Sequence, residues 1–376
     1  MRSLLIIAPG NHLVSGGAET FVRRLCATMR DHGAFARWVS RFMSLKEPGS
    51  SAADTGWLEY NQLLPASAAE QAAKELQFYE RRRAFPSPDL LVTFGAAASQ
   101  IAEHLPRPLS HARRIVFFET PHDRQPRWQA NEAVLRECNG ILSLGARTWS
   151  ISSTHQLVLA RVGISNRRID RILPWRVGRS SRPLPLHARG KTIVVPTRVA
   201  PRKGTFELIT SLGAHCDLLR DWRTIITGGV AARYRHYSRV VGQAHQGLAG
   251  RVRIAIPPQP FPRLVLRHLF ATSRLAVIPS HGELLGLAAI EAVACGALPI
   301  VPDISGLVEA IDGGRHGIVA PYTDDLSALG EWAAHLAHET GRSRALSRLA
   351  DRLATSYSAG GRHGFGASVE RSLRCG

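Results

Sequence analysis

Two glutamates stand eight residues apart in the run Pro279-Ser280-His281-Gly282-Glu283-Leu284-Leu285-Gly286-Leu287-Ala288-Ala289-Ile290-Glu291-Ala292. The pattern predicts a strand ending at Ser280 and a helix beginning near Gly286. Glu283 then lies in a loop, and Glu291 inside the helix among Ala289, Ile290, Ala292 and Val293. A carboxylate in so apolar a helix needs a partner. A pair of ligand hydroxyls and a structural arginine are the two candidates, and the hydroxyl pair is the preferred one. A second cluster, Pro196-Thr197-Arg198-Val199-Ala200-Pro201-Arg202-Lys203-Gly204, follows a strand and opens a helix. Arg198 and Lys203 can converge there on a diphosphate, the arginine as a fork and the lysine as a point charge; a solvated basic turn is the competing reading. A third, Ser15-Gly16-Gly17-Ala18-Glu19, lies between the first strand and the first helix, where glycines admit a ligand close to the backbone and a helix N-terminus favours anions. Taken alone, that segment is better read as a plain loop.

Other chemistries fit poorly. The only Gly-Lys-Thr, Gly190-Lys191-Thr192, has Pro185 where a P-loop needs glycine, and it precedes a strand instead of following one. No G-x-G-x-x-G follows the first strand. His281-Gly282-Glu283 matches the H-x-E of zinc deaminases, but no P-C-x-x-C follows. His338-Glu339 lacks the second histidine of a zinc protease. Glu119 and Glu283 are carboxylates of the kind a glycosidase pairs, at a separation the sequence does not give. Cys26, Cys138, Cys216, Cys295 and Cys375 are odd in number and contain no Cys-x-x-Cys, against both a disulfide framework and a zinc site. A reducing, cytoplasmic setting is expected, with no metal and no cofactor.

The elements that must position these residues alternate regularly. Apolar runs at 4–8, 37–42, 90–94, 115–118 and 141–144 read as strands, with helices expected over 19–31 and 66–84. After a Pro-, Gly- and Arg-rich break at 178–190 the alternation restarts. Strands are expected at 192–195, 224–226, 252–256, 275–278 and 298–301, and helices at 205–212, 231–246, 261–270, 286–294, 324–338 and 343–355. Such alternation predicts α/β architecture with parallel sheets. The expected organisation is two doubly wound, Rossmann-like domains, 1–180 and 181–358, facing a central cleft, and a final helix within 359–376 packing back toward the first. Ligands would bind at the carboxyl ends of the strands. Residues 284–302 carry a single charge over a length that resembles a membrane span, but Glu291, Gly296 and Pro299 favour a buried helix followed by a buried strand. The N-terminal apolar run is too short for a signal peptide.

The chain has 376 residues, 44% of them hydrophobic and 20% charged, which excludes a disordered or collagenous protein. Its formal net charge of +19 attracts phosphates, whether of nucleic acid, anionic lipid or a nucleotide-linked metabolite. Only Lys46, Lys74, Lys191 and Lys203 are lysines; all other basic residues are arginines.

Together these motifs resemble family 4 retaining glycosyltransferases of the GT-B fold. Glu283 to Glu291 is similar to that family's E-x7-E signature, with Leu285 where phenylalanine is usual. Gly296-Ala297-Leu298-Pro299-Ile300-Val301, Ser305-Gly306 and Gly317-Ile318-Val319 resemble what normally follows. Arg198 and Lys203-Gly204 match G-R-x-x-x-x-K-G, with Thr197 in the glycine position, and Gly16-Gly17-Ala18-Glu19 matches G-G-A-E. Gly228-Gly229 sits where the family has a glycine-rich strand end.

The resemblance implies a nucleotide diphosphate sugar as donor substrate, held mainly by the second domain. Glu283 would face the donor sugar and Glu291 the ribose hydroxyls. Arg198, Lys203 and the amides near Gly286 and Leu287 would stabilise the leaving diphosphate, and Gly17 would let a first-domain loop close over it. His122, in Glu119-Thr120-Pro121-His122-Asp123, matches the family's active-site histidine, with a structural loop histidine as the alternative. The chain departs from the usual P-N-G-V-D at Pro174-Trp175-Arg176-Val177-Gly178, which leaves the acceptor contacts open. Many relatives use lipid-linked acceptors. Arg81, Arg82, Arg83, Arg107, Arg113, Arg114, Arg124 and Arg127 suit peripheral contact with an anionic membrane, or are scattered charges on a soluble enzyme. Rival readings are a basic nucleic-acid-binding or regulatory protein, although no recognised nucleic-acid module is present, a nucleotide-sugar epimerase or phosphorylase, and a non-catalytic relative.

Overall fold

Runs such as Leu90–Phe94 and Leu298–Pro302 are almost wholly apolar and buried at every position, as the strands of a parallel sheet covered on both faces must be. A computed structural model describes residues 3–7, 21–22, 25–26, 35–39, 67, 69–71, 73–74, 88–105, 113–117, 147–161, 163–172, 184–229, 234–248, 252–257 and 261–339. The chain divides into two units, Met1–Trp175 with His363–Gly376, and Arg176–Arg362.

In the first unit β1 (Ser3–Ile7), β2 (Phe35–Val39), β3 (Leu90–Phe94), β4 (Arg113–Phe117), β5 (Arg147–Ser150) and β6 (Ile169–Arg171) form a parallel sheet in the order β2-β1-β3-β4-β5-β6. Helix α1 (Gly95–Glu103) leaves β3 directly and α2 (Ser153–Arg161) follows β5. Phe21, Phe94 and Phe117 pack ring to ring, with centroids 4.9–5.7 Å apart. The expected strand at 141–144 lies outside the described residues. β5 and β6 have no apolar run to announce them. Thr148, Trp149 and Ser150 of β5 are nevertheless buried, because the polar groups are satisfied: Thr148 Oγ1 donates to Val116 O at 2.6 Å and Ser150 Oγ to Ser152 O at 2.6 Å, while half-buried Arg147 ties β5 to β6 through Nε to Asp170 Oδ2 at 2.6 Å.

In the second unit β7 (Gly190–Val195), α3 (Thr205–Ala214), β8 (Arg223–Ile226), α4 (Arg235–Gly247), β9 (Arg253–Ala255), α5 (Arg263–Thr272), β10 (Ser273–Val277), α6 (Leu287–Cys295), β11 (Leu298–Pro302), α7 (Ser305–Ala310), β12 (Ile318–Ala320) and α8 (Ser327–Glu339) alternate; the short α7 and β12 are additions to the expected elements. The sheet is parallel in the order β12-β11-β10-β7-β8-β9. Its core joins Ile193, Val195, Leu275, Val277 and Ile300 to Leu208, Leu212, Leu329 and Ala333 of α3 and α8. The apolar stretch 284–302 is the short helix α6 followed by β11, not a span. Among the described residues no helix is long and apolar enough to cross a membrane.

The expected linker is not slack where it is described. Arg189 is buried, and its guanidinium donates to Leu184 O at 2.7 Å and to Gly296 O, the carbonyl just past the end of α6. Buried Arg274 donates to Arg189 O at 3.0 Å and His187 O at 3.3 Å, its guanidinium 5.8 Å from the Trp222 ring centre. The helix expected at 343–355 and the final helix within 359–376 lie outside the described residues.

Candidate active site

In a doubly wound sheet the ligand crevice opens where the strand order reverses, because neighbouring connections depart to opposite faces there. In the second unit that point lies between β7 and β10, which are adjacent although three strands apart in connectivity. The two segments leaving these strands are the basic turn after β7 and the glutamate-bearing loop after β10, so the topology brings together clusters 80 residues apart.

The basic turn is built by close backbone approaches. A short 3₁₀ turn, Pro201–Lys203, ends at Gly204, whose φ of +59° suits glycine alone. A Cβ there would meet Pro279 O at 1.9 Å. Gly228 is needed for a similar reason: a Cβ would lie 2.2 Å from Thr197 O, whose carbonyl accepts the Gly228 N–H at 3.0 Å. Gly228 therefore supports the Arg198 peptide from below; this is the observed role of a residue expected to line the donor site. The glutamate loop is pinned by His281 N–H donating to Arg202 O at 3.0 Å, by Ser280 Oγ donating to Gly282 O at 2.9 Å, and by Gly306, where a Cβ would meet Glu283 O at 2.0 Å.

These constraints bring Lys203 Nζ into an ion pair with Glu283 Oε1, both side chains largely buried. Burial pushes the Lys203 ammonium below its ordinary value. Glu283 opposes that shift, while the positive charges of Arg202 and Arg198 reinforce it. A crowd of cations held this way gains most from an incoming anion. Arg198 itself is exposed at the turn.

Glu291 is 9% exposed and paired with Arg263 Nη2 at the start of α5. Of the two partners expected for it, the structure supplies the arginine. Nothing in the spacing of the sequence connects Arg263 to Glu291, so sequence reasoning misses it. The amides expected to meet the diphosphate are engaged: Gly286 N–H donates to Gly306 O at 3.3 Å and Leu287 N–H to Leu285 O at 2.7 Å. No side chain caps α6, and helical geometry leaves the Ala288 and Ala289 amides as its first-turn donors without an intrahelical acceptor. Gly16, Gly17 and His122 lie outside the described residues. Among the described residues no group of three or more His, Cys, Asp or Glu could hold a metal ion.

Two Rossmann-like units are the plan of the GT-B fold, and solved structures of that fold match the whole chain. HepE of Anabaena, solved with UDP and glucose, superposes with a TM-score of 0.71 over 100% of both chains at 14% identity. Sucrose-phosphate synthase of Thermosynechococcus elongatus gives 0.71 over 100% of this chain and 98% of that one, at 16% identity. The profile of the family described as "Glycosyl transferases group 1" matches residues 190–338. The D-inositol 3-phosphate glycosyltransferase of Gordonia bronchialis is 36% identical over 115 residues, 30% of this chain and 24% of the relative's length. Residues 190–338 are thus similar to group 1 glycosyltransferases. The match spans about a quarter of the length of that relative.

Proposed function

We propose that the chain is a retaining glycosyltransferase that moves a hexose-type sugar from a nucleotide diphosphate sugar to a glycan, lipid-linked or small-molecule acceptor, in bacterial polysaccharide or glycoconjugate synthesis in the cytoplasm. The observation that carries the reading is the meeting of Arg198, Lys203 and Glu283 at the switch point of the second sheet, with Glu291 on the helix behind. HepE, with the same fold, was solved with UDP and glucose, which supports a nucleotide-sugar donor.

As the glycosidic bond breaks, charge builds on the diphosphate. Lys203 and Arg198 already stand where that charge would develop, and preorganised charges of this kind supply the largest catalytic contributions. They perform the neutralisation that a divalent ion performs elsewhere, so the reaction proceeds without metal. Glu283 exchanges its ion pair for the donor sugar's hydroxyls, and Glu291, oriented by Arg263, takes the ribose. The acceptor hydroxyl attacks from the face the leaving group vacates, within an ion pair, and configuration is retained. Gly16 and Gly17 close over the phosphates and His122 meets the donor sugar. The test is a screen of nucleotide sugars that follows nucleotide diphosphate release with and without acceptors. Release from no donor rejects the reading.

Peripheral contact with anionic membrane remains part of the proposal for the first unit. Of its arginines, Arg114 is engaged with Glu103 and its side chain is mostly buried, so it adds little to a membrane-facing charge. Sedimentation with anionic vesicles at low salt decides it: binding that disappears at high salt is expected, and protein left in the supernatant at low salt points to a soluble acceptor.

A further inference from the structure

The loop that carries Glu283 is braced from two sides, and only one brace belongs to the basic turn. On the other side stands the imidazole of His281. Its Nδ1 lies 3.1 Å from Tyr322 Oη, in the segment after β12, and its Nε2 lies 3.7 Å from Glu207 Oε1, in the first turn of α3. The far oxygen of Glu207 accepts the Tyr237 hydroxyl at 3.3 Å, and Tyr237 Oη accepts the Phe206 N–H at 2.9 Å. One chain of polar contacts therefore runs from α4, through the first turn of α3, to the loop after β10 and the segment after β12. The titratable groups in contact with the imidazole are Glu207 from α3 and Tyr322; Tyr237 of α4 stands behind Glu207, and Glu283 of the same loop pairs with Lys203 of the basic turn.

We propose that His281 is a positioning residue: held between Tyr322 and Glu207, it fixes loop 280–283 against the 201–203 turn and so sets where Glu283 meets Lys203. The proposal rests on the reading of that turn and loop as the donor site, and it deepens that reading. Gly282, beside Glu283, has no side chain to hold the loop, and the two contacts of the imidazole add side-chain anchors to the backbone bonds that pin it. A displacement of about 1 Å at reacting groups costs on the order of 100-fold in rate. An imidazole that merely filled space would have no such reach.

The scarcity of lysine gives a readout independent of turnover. An amine-specific acylating reagent applied to the full-length chain reports the exposure of Lys203 by peptide mass spectrometry, with exposed Lys191 as internal standard. In His281→Ala and in Glu207→Gln, labelling of Lys203 relative to Lys191 is expected to rise about fivefold as the loop opens locally. Nucleotide-sugar turnover is expected to fall roughly 10- to 100-fold. His281→Asn, which keeps a polar atom near the Nδ1 position to meet Tyr322, is expected to recover part of both. Should the alanine variant fail to fold, Glu207→Gln, which keeps the histidine, reads the same contact. Unchanged Lys203 labelling in folded His281→Ala, or in Glu207→Gln where the alanine variant does not fold, overturns the proposal, whatever happens to turnover. Raised labelling in a protein whose wild type releases no nucleotide diphosphate upholds the brace and rejects the donor-site reading instead.

Discussion

The two sheets share a parallel, doubly wound plan but reverse at different places, the first between β1 and β3, the second between β7 and β10. On the β3 side of the first reversal the chain passes straight into α1 through Gly95, with φ +77° and the small residues Ala96, Ala97 and Ala98; no charged side chain follows until Glu103. On both sides of the second reversal the chain makes a longer excursion, stocked with Arg198, Arg202, Lys203 and Glu283 and locked by Gly204, Gly228 and Gly306. The fold provides a crevice in either case. What turns one crevice into a charged site is the chemistry of two loops and the glycines that let them pass within van der Waals contact.

The sharpest break in this comparison is removal of the charge. Lys203→Ala should lower turnover by about 10²–10³, with Arg198→Ala similar, since each removes a preorganised cation from the leaving group; steady-state kinetics with the identified donor checks it, and near-normal rates in both would sink the assignment. Next comes the packing. Gly204→Ala should destabilise the second unit by at least about 2 kcal/mol, through left-handed strain and collision with Pro279 O. Gly95→Ala bears a positive φ and should cost about 1–2 kcal/mol through strain. Denaturant titration of the two variants tests whether the donor turn is the more tightly fitted.

A smaller effect is expected behind the loops. Glu291→Gln should weaken nucleotide diphosphate binding by about tenfold, near 1.4 kcal/mol, while Glu283→Gln mainly lowers the rate; calorimetry with the nucleotide separates them. The smallest effect concerns acid. Burial raises the Glu207 carboxyl, but the neighbouring His281 imidazole, its own backbone amide and the Tyr237 hydroxyl outweigh it and hold the group below its ordinary value of 4.5. A carboxylate lowered in the folded state contributes stability above its unfolded pKa and loses it as pH falls through the folded one. Glu207→Gln should therefore be less stable than wild type at neutral pH, and the gap should close as pH falls below about 4.5. Thermal midpoints across the acid-to-neutral range give the measurement, and a gap independent of pH contradicts the linkage.

The second unit was legible because its strands are apolar and the loops that follow them polar. Ile193, Val194 and Val195 lead directly into Thr197 and Arg198, and Ile278 into Ser280 and Glu283. β5 was not, since Arg147, Thr148 and Ser150 are accommodated by hydrogen bonds that only the tertiary structure supplies. The site divides the same way. Lys203 and Glu283 stand in motifs whose spacing implies a ligand. The partners that hold the site together come from distant elements: Arg263 for Glu291, and Glu207 and Tyr322 for His281. No periodicity along the chain encodes such pairings.

The two buried arginines at the opposite ends of these strands bear on how the chain can be divided. The profile match begins at residue 190, yet Arg274 takes its acceptors from Arg189 and His187, and Arg189 takes one of its own from Leu184. A fragment cut at the border of the similarity would strand a guanidinium against Trp222 with its carbonyl partners gone, at a cost on the order of several kcal/mol for an uncompensated buried charge. The matched segment and the hydrogen-bonded unit thus have different edges, and the latter begins no later than Leu184.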